Sequence, residues 1–471
     1  MPVAAAFRLL AGLLLVALAL GARGAELPVP VVAALAEAGI PLSRVAVVVQ
    51  PLGTSEALLS HNADAALNPA STMKLVTSFA ALDLLGPSYT WTTTLWAAGP
   101  LAGGVLDGDL VIKGRGDPTL TLERMWLLQR ELRARGVQHI RGGLVLDTAY
   151  FSVPEHDPAA FDGEPFAPYN AAPGALVANF NAVALRVKPQ DDAVLIVPDL
   201  VLPGVTLVSR VTLAEAVECN GGQGALVPAF PDEARRTLEI TGRYPRDCGE
   251  RALAFNLFEP AATFDFIFRG LWDEAGGTLA GATRGGTAPD ATPLLVFESE
   301  PLAQALTRLN KYSSNIMARN LFLTLGAEAF GAPGTPDKGA RAVRDSLARY
   351  GISTQKLVLE NGAGLSRIER VSAQALTALL HAAQRTPWAA EFAASLPLAA
   401  QDGTLKRRFA GSAVAGRAHL KTGTLRDVSA LAGYVHTLRG DSVSVVMLVN
   451  HPRARASEAA QRALLEWVVA Q

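Results

Sequence analysis

Ser71-Thr72-Met73-Lys74 opens the set of three short motifs that decides how this chain of 471 residues is organised. The other two motifs are Ser313-Ser314-Asn315 and Lys421-Thr422-Gly423. Single matches occur elsewhere, since S-x-x-K recurs at 353–356 and S-x-N at 60–62. Only the first set can be read in the order S-x-x-K, S-x-N and K-T-G. The three motifs together therefore predict one folded site.

The first motif combines a serine hydroxyl with a nearby amine. Ser71 and Lys74 are three residues apart, which places them on the same face of a helix, one turn apart. An apolar pattern typical of a helix follows at 75–84, so Ser71 falls at or near a helix N-terminus. A lysine can take the proton of a serine if burial and positive neighbours lower its pKa. Taken alone, the motif also fits a capping serine beside a surface lysine.

The second motif lies at a polar break, 310–315, between two stretches with helical spacing. This pattern predicts a loop between two helices that points into a cleft. Ser313 can relay a proton between Lys74, Ser71 and a leaving amine, and Asn315 can hydrogen-bond a substrate amide. The alternative is an ordinary turn between helices, where Ser and Asn are favoured in any case.

The third motif, Lys421-Thr422-Gly423 with Thr424 after it, lies in a region typical of β-hairpins. The stretches 429–437 and 442–449 resemble strands, with a turn at 439–441. A K-T-G strand at the edge of a cleft supplies a cation for a carboxylate, a hydroxyl donor, and a glycine beside which substrate can pair. Combined with the first two motifs, it favours acyl transfer by a serine–lysine pair.

Composition indicates an exported protein of two or three domains. The net charge of −1 gives no sign of a nucleic-acid partner. Arg8 precedes an apolar run at 9–20 and small residues suited to cleavage, so residues 1–24 are predicted to be a signal peptide. The apolar run is too short to favour a membrane span. We expect a periplasmic product, while peripheral membrane contact and a homodimer stay open.

The chain contains two cysteines, Cys219 and Cys248, which flank a turn-rich segment. In an exported protein such a pair is typical of a disulfide, and closing a loop of this size stabilises the fold by on the order of 3 kcal/mol. The histidines show no metal-ligand spacing and H-E-x-x-H is absent from the sequence. We therefore predict neither a metal nor a cofactor.

Further stretches extend the pattern beyond the three motifs. They are Asn68-Pro69-Ala70 before the nucleophile, 108–110 with 116–120, 147–148 before Phe151, 362–367, and 396–398 with 402–403. With these stretches the chain resembles the low-molecular-mass class C penicillin-binding proteins, the D-alanyl-D-alanine carboxypeptidase/endopeptidase family. The resemblance covers essentially the whole mature chain and is weakest at about 185–250.

The resemblance implies an enzyme that acts on peptidoglycan stem peptides ending in D-Ala-D-Ala and is acylated by β-lactams at Ser71. It places Arg367 at the cleft, and Glu164 and Tyr169 near the side-chain amine end of the stem peptide. Arg426 stands where relatives carry a neutral amide. Two alternatives stay open: a β-lactamase or esterase on the same site, and a peptidoglycan-binding protein without catalysis. The long gap between Lys74 and Ser313 argues against the first, and the intact motifs argue against the second.

The predicted fold is multi-domain α/β, with an α+β penicillin-interacting domain of the β-lactamase/transpeptidase type. That domain should have an antiparallel sheet flanked by helices, formed by residues 25–92 and 293–471. Residues 93–178 and 256–292 are predicted to form an inserted α/β domain, and residues 179–255 a second, mostly β insert.

Overall fold

The structure is a computed structural model that describes residues 26–200, 202–214, 219, 226–232, 234 and 236–471. The predicted signal peptide lies outside these residues. Within them, the α-helices are α1 (Val29–Glu37), α2 (Met73–Leu85), α3 (Leu122–Ala134), α4 (Pro260–Glu274), α5 (Leu302–Tyr312), α6 (Asn315–Phe330), α7 (Pro336–Arg349), α8 (Ala373–Gln384), α9 (Ala389–Ser395) and α10 (Glu458–Val469). In the described ranges no helix is long and apolar enough to span a bilayer.

The strands of the described residues are β1 (Val45–Pro51), β2 (Leu59–His61), β3 (Thr92–Ala98), β4 (Leu101–Ala102), β5 (Val105–Leu106), β6 (Asp109–Gly114), β7 (His139–Ile140), β8 (Leu144–Asp147), β9 (Val183–Gln190), β10 (Ala193–Pro198), β11 (Thr206–Ala214), β12 (Leu226–Ala229), β13 (Thr237–Pro245), β14 (Arg251–Phe255), β15 (Thr278–Leu279), β16 (Arg284–Gly285), β17 (Leu295–Glu298), β18 (Ala418–Thr424), β19 (Val428–His436) and β20 (Ser442–Asn450).

An antiparallel sheet in the order β18-β19-β20-β1-β2 forms the centre of the molecule. Strand β1 shows why this sheet is covered on both sides, because its residues 45–50 are all buried. Ala46 and Val48 pack into the core that contains α2 and helices α5 to α9. Val45, Val47 and Val49 point the other way, into a core closed by α1 and α10. The result is three layers, helices–sheet–helices.

The three motifs meet at one edge of this sheet. The S-x-x-K serine lies in a short 3-10 turn, Ala70–Thr72, that leads directly into the buried helix α2. The S-x-N motif joins α5 to α6, and K-T-G lies on the edge strand β18. The predicted loop between two helices and the predicted hairpins are thus present, as is the predicted fold class.

A first insert separates the nucleophile helix from the S-x-N helices. Its main sheet has the order β16-β8-β6-β3-β17, and α3 and α4 pack against it with a smaller sheet, β15-β7-β5-β4. Strand β17 pairs antiparallel with β3, although about 200 residues separate the two in sequence. The sheet therefore continues just past residue 292, where we predicted that the insert ends.

A second insert follows β8 in sequence and consists mainly of two small sheets, β10-β9-β14 and β11-β13-β12. Their inner faces share a core that includes Leu185, Ile240 and Phe255. Cys219 and Cys248 are joined in a disulfide, as the sequence predicts, with 5.4 Å between their Cα atoms. The disulfide stabilises this insert, which lies away from the three motifs in the chain.

Candidate active site

The nucleophile turn is held by asparagine side chains on both sides of it. Asn68 Oδ1 accepts the N–H of Ala70 at 2.8 Å, and Asn450 bonds both backbone groups of Asn68, at 2.7 and 2.9 Å. Ala70 takes a positive φ of 45°, which is uncommon outside glycine. These contacts fix Ser71, which is half-buried, at the entrance of helix α2.

Lys74 is fully buried one turn after Ser71. Its Nζ lies 3.0 Å from Ser71 Oγ and 2.7 Å from Asn315 Oδ1, and it also contacts the carbonyl oxygen of Ala363. Burial lowers the pKa of Lys74 well below its ordinary value, and the charge of Lys421 lowers it further. A neutral amine has two N–H bonds and one lone pair. Asn315 and Ala363 offer acceptors for both N–H bonds, so in the neutral form the lone pair is free to face the hydroxyl of Ser71.

Ser313 and Asn315 are positioned by the junction of two helices. Ser313 ends α5 in the left-handed region, with φ 57°, and Ser314 caps α6 by accepting the N–H of Met317. Asn315 is thereby the first residue of α6, and its Nδ2 donates to the carbonyl oxygen of Tyr169 at 3.1 Å. This hydrogen bond fixes the orientation of the Asn315 amide.

Lys421 lies beside the S-x-N serine and is also fully buried. Its Nζ donates to Ser313 Oγ at 2.8 Å and to the carbonyl of Thr422 at 2.9 Å. Burial lowers the pKa of Lys421 to about 7. The pair Ser71–Lys74 thus has a second serine–lysine pair, Ser313–Lys421, next to it. Each pair joins a serine hydroxyl to a lysine amine within hydrogen-bond distance.

Gly423 allows the K-T-G strand to approach the nucleophile. A Cβ atom at this position would lie 2.6 Å from the carbonyl oxygen of Pro69 and 2.8 Å from the backbone nitrogen of Ser71. The hydroxyl of Thr422 is 2.9 Å from that of Thr404, which is a second hydroxyl at the cleft. Thr424, at the end of β18, is exposed.

Of the residues expected from family resemblance, Tyr169 lines a cavity beside the S-x-N motif, whereas Arg367 lines a separate cavity that also includes Phe161 and Arg319. Arg367 stacks on the ring of Phe161 at 4.2 Å and forms an ion pair with Asp427 at 3.5 Å. The hydroxyl of Tyr169 donates to Asp162 Oδ2 at 2.9 Å. Burial raises the pKa of the Tyr169 hydroxyl to about 12, and the bond to Asp162 contributes. Glu164 and Arg426 are exposed.

The structure adds site residues that sequence reasoning did not assign. The carbonyl of Ala363 contacts Lys74, and the buried carboxyl of Glu369 holds the loop that carries this carbonyl. Phe161 supports Arg367. The stretch 362–367 belongs to the family pattern, so the sequence indicated that this loop matters. It did not indicate that the Ala363 carbonyl contacts Lys74 or that Glu369 holds the loop.

A cavity of about 450 Å³ opens beside the S-x-N motif. It is lined on one side by Tyr169 and on the other by 312–317. The described residues contain no group of three or more His, Cys, Asp or Glu side chains that could hold a metal ion.

A model of the D-Ala-D-Ala carboxypeptidase 3 (S13) family matches residues 30–471 of the chain. The chain belongs to this family. The match spans all three motifs and both inserts. It confirms the predicted family and the predicted class of enzyme, a serine-type D-Ala-D-Ala carboxypeptidase.

Similar proteins support this assignment. The chain is 33% identical over 439 residues to the D-alanyl-D-alanine carboxypeptidase of Actinomadura sp. strain R39, with 89% of this chain and 80% of the relative covered. It has the fold of penicillin binding protein 4 (dacB) from Haemophilus influenzae, with TM-score 0.77, 24% identity, and 94% and 100% of the two chains covered. A structure of that protein complexed with a novel beta-lactam gives TM-score 0.71, 25% identity, and coverage of 90% and 96%.

Proposed function

We propose that Ser71 is the nucleophile and Lys74 the general base of this carboxypeptidase, and that the same site cleaves peptidoglycan cross-links. The observation that carries the proposal is the set of partners around Lys74. Two acceptors, Asn315 Oδ1 and the Ala363 carbonyl, take its N–H bonds, and the hydroxyl of Ser71 lies 3.0 Å from the nitrogen. A buried amine in this setting can accept a proton as the serine attacks.

Acylation then follows from the geometry. Ser71 Oγ attacks the carbonyl carbon of the penultimate D-Ala, and its proton passes to Lys74. The backbone N–H of Ser71 stabilises the oxyanion that forms. As the C–N bond breaks, Lys74 returns a proton to the departing D-Ala through the hydroxyl of Ser313, whose own partner is Lys421. Water then hydrolyses the ester at Ser71, and the shortened stem peptide leaves.

The cleft also offers groups for the rest of the substrate. Lys421 and the hydroxyls of Thr422 and Thr424 bind the terminal carboxylate. The second N–H of the Asn315 amide donates to the amide carbonyl upstream of the scissile bond. We assign Glu164 and Tyr169 to the side-chain amine end of the stem peptide, and Arg367 and Arg426 to other contacts of the substrate at the rim of the cleft.

Cross-link cleavage uses the same steps. In a cross-link, the D-Ala carbonyl is joined to an amine of another stem peptide rather than to a terminal D-Ala. The attack by Ser71 is unchanged, and the leaving amine belongs to the second peptide. The N-terminal pattern at 1–24 and the Cys219–Cys248 disulfide are typical of an exported protein, which supports action in the periplasm.

Covalent labelling with a fluorescent penicillin tests the assignment. The wild-type protein should form an adduct that survives SDS and maps to Ser71, because the opened β-lactam remains attached and cannot diffuse away. Ser71→Ala should abolish the adduct. Ser353→Ala is the matched control, since it removes the serine of the other S-x-x-K match and should leave labelling unchanged. An adduct at another serine would refute the proposal.

Two further readouts separate the remaining alternatives. An acyl-enzyme that persists for minutes or longer fits a penicillin-binding protein, whereas rapid turnover of penicillin would indicate a β-lactamase. Incubation with purified muropeptides, followed by separation of monomers from cross-linked dimers, measures the two peptidase activities. Trimming of monomers without loss of dimers would exclude the proposed endopeptidase activity.

A further inference from the structure

Glu369 is a buried acid that the steps above do not use. Its side chain is fully buried. The Oε1 atom accepts three consecutive backbone N–H groups, those of Glu360 at 3.0 Å, Asn361 at 3.0 Å and Gly362 at 2.9 Å. The Oε2 atom is also buried and has no hydrogen-bond partner among the described residues. Buried carboxylates are rare in proteins, so this arrangement calls for a physical reason.

The backbone that Glu369 holds leads directly to the catalytic lysine. Ala363 follows Gly362, and its carbonyl is the one that contacts Lys74 Nζ. The hydroxyl of Thr77, one turn beyond Lys74 on α2, donates to the Gly362 carbonyl at 2.6 Å. Asn361 Oδ1 accepts the N–H of Ala363 at 2.9 Å. The loop 360–364 is thereby fixed against helix α2 at the level of Lys74.

We propose that Glu369 is a positioning residue for Lys74. By holding the turn at 360–362, it keeps the Ala363 carbonyl where that oxygen takes one N–H of the amine, so that the lone pair faces Ser71. Its carboxylate also supplies negative charge near the ammonium that forms when Lys74 takes the proton. This inference rests on the proposed role of Lys74 as the general base.

The charges near Lys74 make the role of the carboxylate testable. Lys421 and Arg319 lower the pKa of Lys74, whereas Glu369 raises it. Burial raises the pKa of Glu369 itself, while the three backbone N–H groups oppose this shift; Glu360 is the other acid nearby. Arg319 is buried on α6, and its Nη1 donates to the Ala171 carbonyl at 2.8 Å. A carboxylate and a guanidinium thus act on the same amine with opposite signs.

If Glu369 only stabilised the loop, its charge would not affect the pH dependence of acylation. If it positions Lys74 and acts on its charge, the pH dependence should change when the charge is removed. Glu369→Gln keeps an oxygen that can accept the three N–H groups but removes the charge. The experiment measures the second-order rate constant for acylation by fluorescent penicillin as a function of pH, together with the melting temperature. Acylation requires neutral Lys74, so its rate rises as pH rises through the pKa of that amine. In E369Q the rising limb should move to lower pH by roughly half a unit, and the plateau should fall by up to about threefold because the base is weaker.

Two control variants sharpen the result. Glu360→Gln removes the same charge from an exposed side chain on the same loop and should move the limb much less than E369Q. Arg319→Met removes the opposing charge and should move the limb to higher pH. A folded E369Q protein with the pH profile of the wild type would overturn the proposal, and so would a shift of E369Q and R319M in the same direction.

Glu369→Asp keeps the charge on a side chain that is one methylene shorter. If E369Q does not fold, this variant tests whether Glu369 positions Lys74. The limb should stay in place while the rate falls, since the loop loses its anchor. An unchanged rate in E369D would mean that the loop position does not matter, against the proposal. Labelling of wild-type Ser71 is measured in the same series. If Ser71 is labelled and E369Q behaves as wild type, only the role of Glu369 fails; if Ser71 is not labelled, the proposed function fails.

Discussion

Lys74 is fully buried, and burial of a lysine favours the loss of its proton. A protonated lysine in a fully buried position would need its charge compensated, and the cost of burying an unpaired charge is many kcal/mol. Two further cations, Lys421 and Arg319, lie near enough to oppose protonation. Glu369 is the acid that acts in the other direction. Burial and these two cations thus favour the neutral form of the amine, which is the form that the proposed general-base role requires.

The two lysines of the site should respond differently to arginine. In Lys74→Arg the guanidinium stays protonated, so the base is lost and acylation should slow by about 10³-fold, within the usual range for general-base catalysis. In Lys421→Arg a cation for the carboxylate remains, so the loss should be about tenfold.

Because the pKa of Lys421 is about 7, kcat/KM for a D-Ala-D-Ala peptide should fall above neutral pH in the wild type. This fall should move to higher pH in K421R. Stopped-flow acylation and peptide hydrolysis measure both effects, and equal losses in the two variants would mean that Lys74 is structural.

The sequence predicts the side chains of the site better than its backbone. Ser71, Lys74, Asn315 and Lys421 could be assigned because hydroxyl, amine and amide groups occur in a fixed order. The acceptor supplied by residue 363 could not be assigned, because it is a main-chain carbonyl on an alanine and any residue type has one. Glu369 was missed for a different reason: acidic residues are mostly exposed, and only the folded loop shows that this one is buried.

At the scale of elements, the loop 360–364 packs against both the turn Ala70–Thr72 and helix α2. Gly364 has φ 80°, and a Cβ atom there would clash with the carbonyl oxygen of Ala70. Gly416 has a similar φ of 71°, but nothing lies within 4 Å of a Cβ atom at that position. An alanine at either position would be strained by its positive φ, but only an alanine at 364 would also clash with the turn Ala70–Thr72.

Alanine substitutions at these glycines form a matched pair. Gly416→Ala should lower the free energy of unfolding by about 1–2 kcal/mol, the usual cost of a left-handed alanine. Gly364→Ala should lower it by more, because its Cβ atom also meets backbone atoms of Ala70 and Ser71. Only G364A should also displace the turn Ala70–Thr72 and slow acylation by penicillin, by roughly 10²-fold, since a 1 Å misplacement of reacting groups costs about that much. Urea denaturation and labelling kinetics give the two quantities. Equal acylation rates in the two variants would contradict a role of this loop in placing Ser71.

Local pattern explains which elements could be predicted. The strands after K-T-G were expected at 429–437 and 442–449 and occur at Val428–His436 and Ser442–Asn450, because apolar residues and a turn mark them. The pairing of β3 with β17 has no such local signal, since the two strands are about 200 residues apart. The residues of one strand do not indicate which other strand it pairs with. Long-range pairing of this kind sets how the insert closes, and it appears only in the fold.

At the scale of the whole molecule, the first insert forms part of the cleft. Polar side chains on successive turns of α6 bind the backbone of the segment 169–174. Asn315 donates to Tyr169 and Arg319 to Ala171, and the amide of Asn320 both donates to and accepts from Gly174. The same helix carries the S-x-N motif at its N-terminus. The insert thus sets the orientation of the Asn315 amide, beyond any contact that it makes with peptidoglycan.

The second insert is connected to the cleft less directly. Asn256, which directly follows its last strand β14, donates to the carbonyls of Pro165 and Phe166 upstream of that segment. Its disulfide can therefore be removed as a test of independence. Cys219 and Cys248 are 29 residues apart, and in the chain-entropy model their bond is worth about 3–4 kcal/mol. The double Cys→Ser variant should be less stable by up to this amount, while the folded fraction should react with penicillin at nearly the wild-type rate. A small ligand needs only the cleft, whereas hydrolysis of cross-linked sacculi should fall more if the insert positions the polymer. Non-reducing peptide mapping tests the disulfide, chemical denaturation measures the stability, and labelling measures the reaction with penicillin. A folded double variant that no longer binds penicillin would show that the second insert also belongs to the active site.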